Sequence, residues 1–450
     1  MNTESTLGES KRSLPEKTVY GTLVFLIVFI PVCVSSLVDA GEDKWFLIRT
    51  LGPALLVVMI WIESGKPYTS AGLDGLSVFV LGWLGLQVVS MAGAPNTGMS
   101  LEAVTREAGL ISFFFLVRHF SRERRLIYGV LYALILLGTA MSVYGICQHW
   151  GYDFIRWQPH SEVPISRGVS FMGHATFAAS LLVMIIPIAV VMMISSRRIF
   201  VRVLSGLAAL VMLYHLSFTG ARVATVALFV SGAVGTVVYL VSYLLSAAEA
   251  GSPKRRAGGI IKVSVVLFVV ILGVGSAFAS RAWSLKGSDV LGLLEGGLAQ
   301  RVYAWETANR MFLANPFSGV GVGNYEVVSP SYWNDVEASR FSQFERYMRQ
   351  PHNEYFEAAS ETGLLGIAAL IGVVVFGLVQ SVSRTGLPSI VSAGLFVSIL
   401  ASAMDAFFLF PWQISESALV FWVLLGIVSG QTRISQEAVL EGATLEPELP

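Results

Sequence analysis

Charge and cysteine are what this sequence is short of. Charged residues make up only 13% of the chain, about half the ~25% usual for soluble domains. The two cysteines, Cys33 and Cys147, are too few for a disulfide framework or a thiolate metal site and read as packing residues in apolar runs. None of the six histidines forms an HExxH or comparable ligand spacing. No metal, cofactor or nucleic-acid partner is expected. An internal repeat is also missing, because the early and late halves differ in loop length, aromatic content and charge, which argues against the duplicated build of many transporters.

What the chain has instead is apolar residues, 54% of the total, in runs of about 20 that suit membrane-crossing helices. Outer-membrane strands would show short alternating segments, so the expected fold is an all-α integral membrane protein. Residues 1–18 form a polar tail, and the run 19–38 behind it is longer than a signal-peptide core of about 7–15 residues. It is read as a retained first helix. Further runs at 45–62, 75–92, 102–118, 126–147, 174–196, 199–217, 222–246, 260–280, 357–380, 387–409 and 413–430 bring the total to about twelve spans.

Zero formal net charge conceals a strong asymmetry. If the tail lies inside, the inner loops hold Lys66, then Arg118, Arg122, Arg124 and Arg125, then Arg197, Arg198 and Arg202, then Lys254, Arg255 and Arg256, and finally Arg384 and Arg433. Short outer loops hold few basic residues, and 93–102 holds none, as the positive-inside rule requires. The expected order is therefore spans one to nine within 19–280 with an outer loop at 148–173, a large outer loop at 281–356, spans ten to twelve within 357–430, and an inner tail at 431–450.

The large loop runs to about seventy residues against a usual 4–6, and loops that long tend to be functional. Both outer loops are rich in aromatic residues, unlike solvated tethers, and are expected to fold on the membrane surface. Within the second, Leu298, Val302, Trp305, Ala308 and Phe312 recur at helical spacing, predicting a short amphipathic helix over 298–313 stopped by Asn315-Pro316. The glycines of SGVGVGNY at 319, 321 and 323 predict a turn rather than a phosphate cradle, since no strand precedes them.

Chemistry concentrates at the outer face. His352 opens the stretch PHNEYFEAASETGLLG, which runs straight into a membrane helix. A neutral histidine there can accept a proton from a sugar hydroxyl, and a departing diphosphate would call for guanidinium groups. Arg222 follows the tight Thr219-Gly220 turn and reads either as a site residue or as a snorkelling anchor. Positions 301 and 310 lie nine residues, about 180°, apart on one helix. Arg301, beside the apolar stripe, is the site candidate, with a solvated helix charge as the alternative. Glu357 and Glu361, one turn apart, could orient His352 or an arginine, or could serve as caps. Arg167 lies in the first large loop and His174 at its membrane end, and both could meet sugars. His119 and His215 read as structural.

His352-Asn353, nine residues, then Gly363-Leu364-Leu365-Gly366 resembles the H-[NSQ]-x9-G-x-x-[GTY] signature of the bacterial O-antigen ligase family, which also takes in O-antigen polymerases and pilin oligosaccharide ligases. The likeness extends through RGVSFMGHATFAASL, Gly220-Ala221-Arg222, RVYAWETA at 301–308 and PWQISESALVFW, about the last two thirds of the chain. It implies a GT-C-like, metal-independent, inverting glycosyltransferase of the bacterial inner membrane, with its site facing the periplasm. It further implies a glycan on undecaprenyl diphosphate as donor, lipid A-core as acceptor, and membrane lipids around the polyprenyl tail. His352 matches the family's proposed base, and Arg222 and Arg301 match its diphosphate-binding arginines. A polymerase of the same family is the first alternative and a lipid-linked glycan transporter the second.

Overall fold

The computed structural model describes residues 12–34, 40–64, 72–155, 165–249, 297–343, 349–382 and 389–440. Among these the chain is helical throughout, without strands. The first eight helices are α1 (Leu14–Val32), α2 (Ala40–Ser64), α3 (Gly75–Ser90), α4 (Thr97–Phe120), α5 (Arg124–His149), α6 (Ala175–Ser195), α7 (Ile199–Thr219) and α8 (Arg222–Glu249). The outer-loop region supplies α9 (Gly297–Ala314), the single turn α10 (Tyr325–Val328) and α11 (Asp335–Gln343). The chain closes with α12 (Glu354–Val382), α13 (Ser389–Asp405) and α14 (Ser415–Leu440).

Eight of these, α1, α2, α3, α5, α6, α7, α8 and α12, are long and apolar enough to cross a membrane. Eight of the about twelve expected spans are thereby matched among the described residues. The span expected at 102–118 is a real helix, α4, but Glu102, Arg106 and Glu107 make its first half too polar. Those expected at 387–409 and 413–430 are the apolar helices α13 (Ser389–Asp405) and α14 (Ser415–Leu440). The run at 260–280, residues 281–296 of the large loop, and Lys66, Lys254, Arg255, Arg256, Arg384 and His160 lie outside the described residues.

Helix α1 starts five residues before the expected boundary of 19. Ser13 and Glu16 explain this: the Ser13 hydroxyl accepts the Glu16 N–H, and Pro15 sits in the first turn, a serine-to-glutamate capping arrangement that needs no apolar residue. Arg12 then reaches Glu123 at 2.6 Å, pinning the tail to the loop before α5.

The core is built around α6 and α14. Helix α6 packs against α5, α7, α8 and α13, and α14 lies along α4, with Leu419 through Leu425 all buried. One ion pair is sealed inside: Lys44 of α2, fully buried, meets Glu416 of α14 and donates to the Phe171 carbonyl at 2.7 Å. Breaking either partner would strand a buried charge, the costly outcome for such pairs. Helix α9 lies across the first part of α12, where Ala308, Met311, Val320 and Tyr325 form a small second core. The helix stops before Asn315 as expected, but its buried face is Ala304, Thr307, Ala308 and Met311, while Val302 is 40% exposed. The apolar stripe is thus rotated from the one expected, because small residues allow close approach to α12.

Candidate active site

Helix α12 holds the site in place, and a glycine holds α12. Gly363 has φ 69° and ψ −168° and kinks the helix, a conformation that a residue with a Cβ resists. A Cβ there would come within 2.4 Å of the Phe317 carbonyl oxygen. The freed backbone is used: Leu364 N–H donates to Pro316 O at 2.7 Å. Val320 and Gly321 N–H groups donate to the Ser360 and Glu361 carbonyls at 2.9 and 3.0 Å. The loop glycines 319, 321 and 323 all take positive φ, so SGVGVGNY is a turn docked in the kink, with its amides already committed.

Ahead of that kink, His352 sits at φ 53°, one of two non-glycine residues with positive φ among those described. Such backbone costs of order 1–3 kcal/mol and persists only where its surroundings impose it. Here they do so on both sides. Trp305 of α9 donates to the Pro351 carbonyl at 2.9 Å. Asn353 caps α12, its Oδ1 accepting Tyr355 and Phe356 N–H at 3.0 and 3.1 Å, while its Nδ2 donates to Phe407 O at 2.9 Å. The Glu354 N–H donates to Ala406 O at 3.0 Å. The His352 ring rests on Phe410, centroids 4.9 Å apart, and its Nδ1 is buried without a hydrogen-bond partner. Burial, then the charges of Arg301 and His174, lower its pKa to about 4, so it is neutral at pH 7.

Those two neighbours bring distant segments together. Arg301, half-buried on α9, is pushed down by burial and held up by Asp405 at the end of α13. Asp405 is 1% exposed and accepts the Ser180 hydroxyl of α6 at 2.5 Å. His174 caps α6, its Nδ1 2.6 Å from the Thr176 hydroxyl. Its pKa is lowered by burial and by the Arg167 charge. Arg167 in turn donates through Nε to the Thr219 carbonyl at 2.9 Å, against the Gly220 turn that opens α8 at Arg222, an exposed residue. Histidine and arginine candidates from four segments therefore share one end of the bundle. Arg310 is taken up elsewhere, by Glu337 and the Tyr332 carbonyl. His215 donates through Nε2 to the Gly168 carbonyl, 2.8 Å away, deep in the α5–α7 packing.

The two glutamates do not join this group. Glu361 accepts Gly323 and Tyr325 N–H at 2.8 and 2.7 Å, so it fastens the glycine turn to α12 and its role is the cap. Glu357 faces a cavity and lines it together with Glu354 and Glu361. Sequence reasoning missed Asp405 and Phe410. A lone acid closing the apolar run SIVSAGLFVSILASAMD was the available signal for the first.

Residues 207–371 match the model of the family described as O-antigen ligase. No curated protein matches the chain. The O-antigen ligase match covers Arg222, Arg301, the glycine turn, His352 and the Gly363 kink, and it agrees with the resemblance carried by the histidine motif. It points to a multi-pass membrane enzyme of the O-antigen ligase and polymerase type, acting on a lipid-linked glycan and an acceptor. Arg167, His174 and Asp405 fall outside the matched stretch, so the links of His174 to His352, Arg167 to His174 and Asp405 to Arg301 come from the structure.

Proposed function

We infer that this protein transfers a glycan from undecaprenyl diphosphate to lipid A-core at the periplasmic face of the inner membrane. The observation that carries the reading is His352: neutral, fixed in a strained backbone conformation, with an unpartnered ring nitrogen, beside the Arg301 charge. The acceptor hydroxyl oxygen attacks the anomeric carbon of the donor, its proton passes to His352, and the bond from that carbon to the diphosphate oxygen breaks. One in-line displacement inverts the anomeric centre. The diphosphate leaves with its electron pair and is held by Arg301 and Arg222, whose planar guanidiniums suit bidentate phosphate contacts without a divalent ion.

Arg301 serves two purposes in this scheme. It receives the leaving group, and before the donor arrives it keeps His352 from protonating. Once the diphosphate offsets that charge, the histidine becomes a better base while its proton source is in place. The test is transfer by the purified protein from lipid-linked glycan to lipid A-core, run beside an assay offering only lipid-linked repeats. His352→Ala should abolish transfer while leaving protein level and membrane insertion normal. Retained transfer would remove His352 from the mechanism, and elongation of repeats without transfer to core would make the protein a polymerase. Inhibition by a chelator that Mg²⁺ reverses would overturn the metal-independent step.

A further inference from the structure

Beside the first turns of α12 is a cavity of about 660 Å³, within the range of about 300–1,000 Å³ usual for ligand sites. It is walled by the first turns of α2 and α4, the far end of α3, the 322–326 turn, α12 and α14. Its lining has two components. Seven carboxylates face it, among them Glu354, Glu357 and Glu361 on one face of α12, against two arginines, Arg106 and Arg349. Four indoles face it too: Trp45, Trp83, Trp412 and Trp422.

Most of the polar lining is already satisfied. Glu361 holds the glycine turn, Glu354 accepts Trp412 N–H at 2.7 Å, and Glu107 accepts the Trp83 indole at 2.9 Å. Arg106 bonds Glu42 at 2.9 Å, and Arg349 lies 3.4 Å from Glu326. Two lining atoms are exceptions: Arg106 Nε, and Oε2 of Glu357, which is 6% exposed; neither has a hydrogen-bond partner. A carboxylate oxygen buried without a donor is costly, so the cavity is built for something that donates.

The geometry points to a saccharide in this cavity, bound by its hydroxyls to Glu357 and its neighbours and by its C–H faces to the indoles. Carboxyl oxygens suit hydroxyl donors, and flat aromatic walls suit a sugar ring. A phosphate is disfavoured by the excess of carboxylates and by arginines already paired with them. The described carboxylates are not grouped to hold a metal ion. Gln350 and Glu354, which line the cavity, flank His352 in the chain, so a glycan seated here lies across that short segment from the histidine. This rests on the reading of His352 as the transfer base and adds to it the place where the sugar waits. Donor and acceptor glycans share this chemistry.

Intrinsic tryptophan fluorescence of the purified full-length protein tests it with two probes: core oligosaccharide freed from its lipid, and repeat-unit glycan freed from its carrier. One of them should quench saturably, and which one assigns the source. Glu357→Gln should weaken that binding at least tenfold. Glu326→Gln, at the more open rim, should weaken it severalfold and decides the matter if the first variant does not fold. Pyrophosphate should not compete. No saturable binding of either glycan, wild-type affinity in both variants, or displacement by pyrophosphate would overturn the proposal. His352→Ala should bind the probe normally. Lost transfer in that variant with no glycan binding in any protein would sink the cavity alone, whereas retained transfer with Glu357-dependent binding would sink the base alone.

Discussion

The start of α12 joins two neighbourhoods of opposite charge. One holds His352, just ahead of the helix, with the Arg301 and His174 charges. The other presents Glu354, Glu357 and Glu361 to an acid-rich cavity. Their spacing places all three glutamates on one helical face. Separating the charges this way keeps carboxylates from raising the histidine's pKa or competing with a phosphate for the arginines. In the proposed reaction the contrast divides the work: cations for the leaving group and acceptors for a sugar.

The largest effect that would break this contrast is expected from His352→Ala. Losing a positioned base typically costs 10²–10⁴ in rate, and the transfer assay should fall by at least that much. Arg222→Lys and Arg301→Lys keep charge but lose the planar fork. Each should reduce transfer more than tenfold, about 1.4 kcal/mol or more, and full activity in the Arg222 variant would return that residue to the anchor reading.

The pH profile sharpens the comparison further. With its pKa lowered to about 4, His352 should give kcat/KM an acid limb well below the ordinary histidine value of about 6.5. The sign is fixed by the cause: burial and nearby cations disfavour the protonated form, so activity holds as pH falls past 6.5 and is lost as the lowered pKa is approached. Arg301→Gln removes one of those cations and should move the limb upward in whatever activity remains. In the native protein kcat should show a higher limb than kcat/KM, because bound diphosphate offsets Arg301.

The smallest expected effect is on the glutamate side. Glu361→Gln keeps the shape but weakens two hydrogen bonds from backbone N–H groups, worth about 1 kcal/mol or somewhat more each when charge-assisted. It should lower the thermal midpoint in detergent and speed proteolysis within the 315–325 turn, with transfer reduced less than in any arginine variant.

Most helices were legible because apolar runs of the right length have few other uses. The boundary at α1 was not, since a capping serine and glutamate extend it through polar residues. Span four falls on a real helix, α4, whose first half carries Glu102, Arg106 and Glu107. In the site, His352 and Arg301 stood out as isolated polar residues at a membrane boundary. The cavity left no linear trace, because its walls come from six separated segments, each contributing one or two turns. Glu357 and Glu361 look alike in sequence, and only the glycine turn arriving at Glu361 separates cap from lining. Asp405 was hidden at the end of an apolar run until Ser180 and Arg301 were seen beside it.

The hold on His352 from Ala406, Phe407 and Phe410 has a consequence for biosynthesis. Those residues lie more than fifty positions downstream, after the histidine, both arginines and the kink have left the ribosome. A chain arrested before the α13–α14 connection would carry every residue of the basic site and still lack the clasp that sets the histidine's backbone. Completion of synthesis thereby acts as a safety catch, and a truncated copy in the membrane would be unable to spend the cell's lipid-linked glycan.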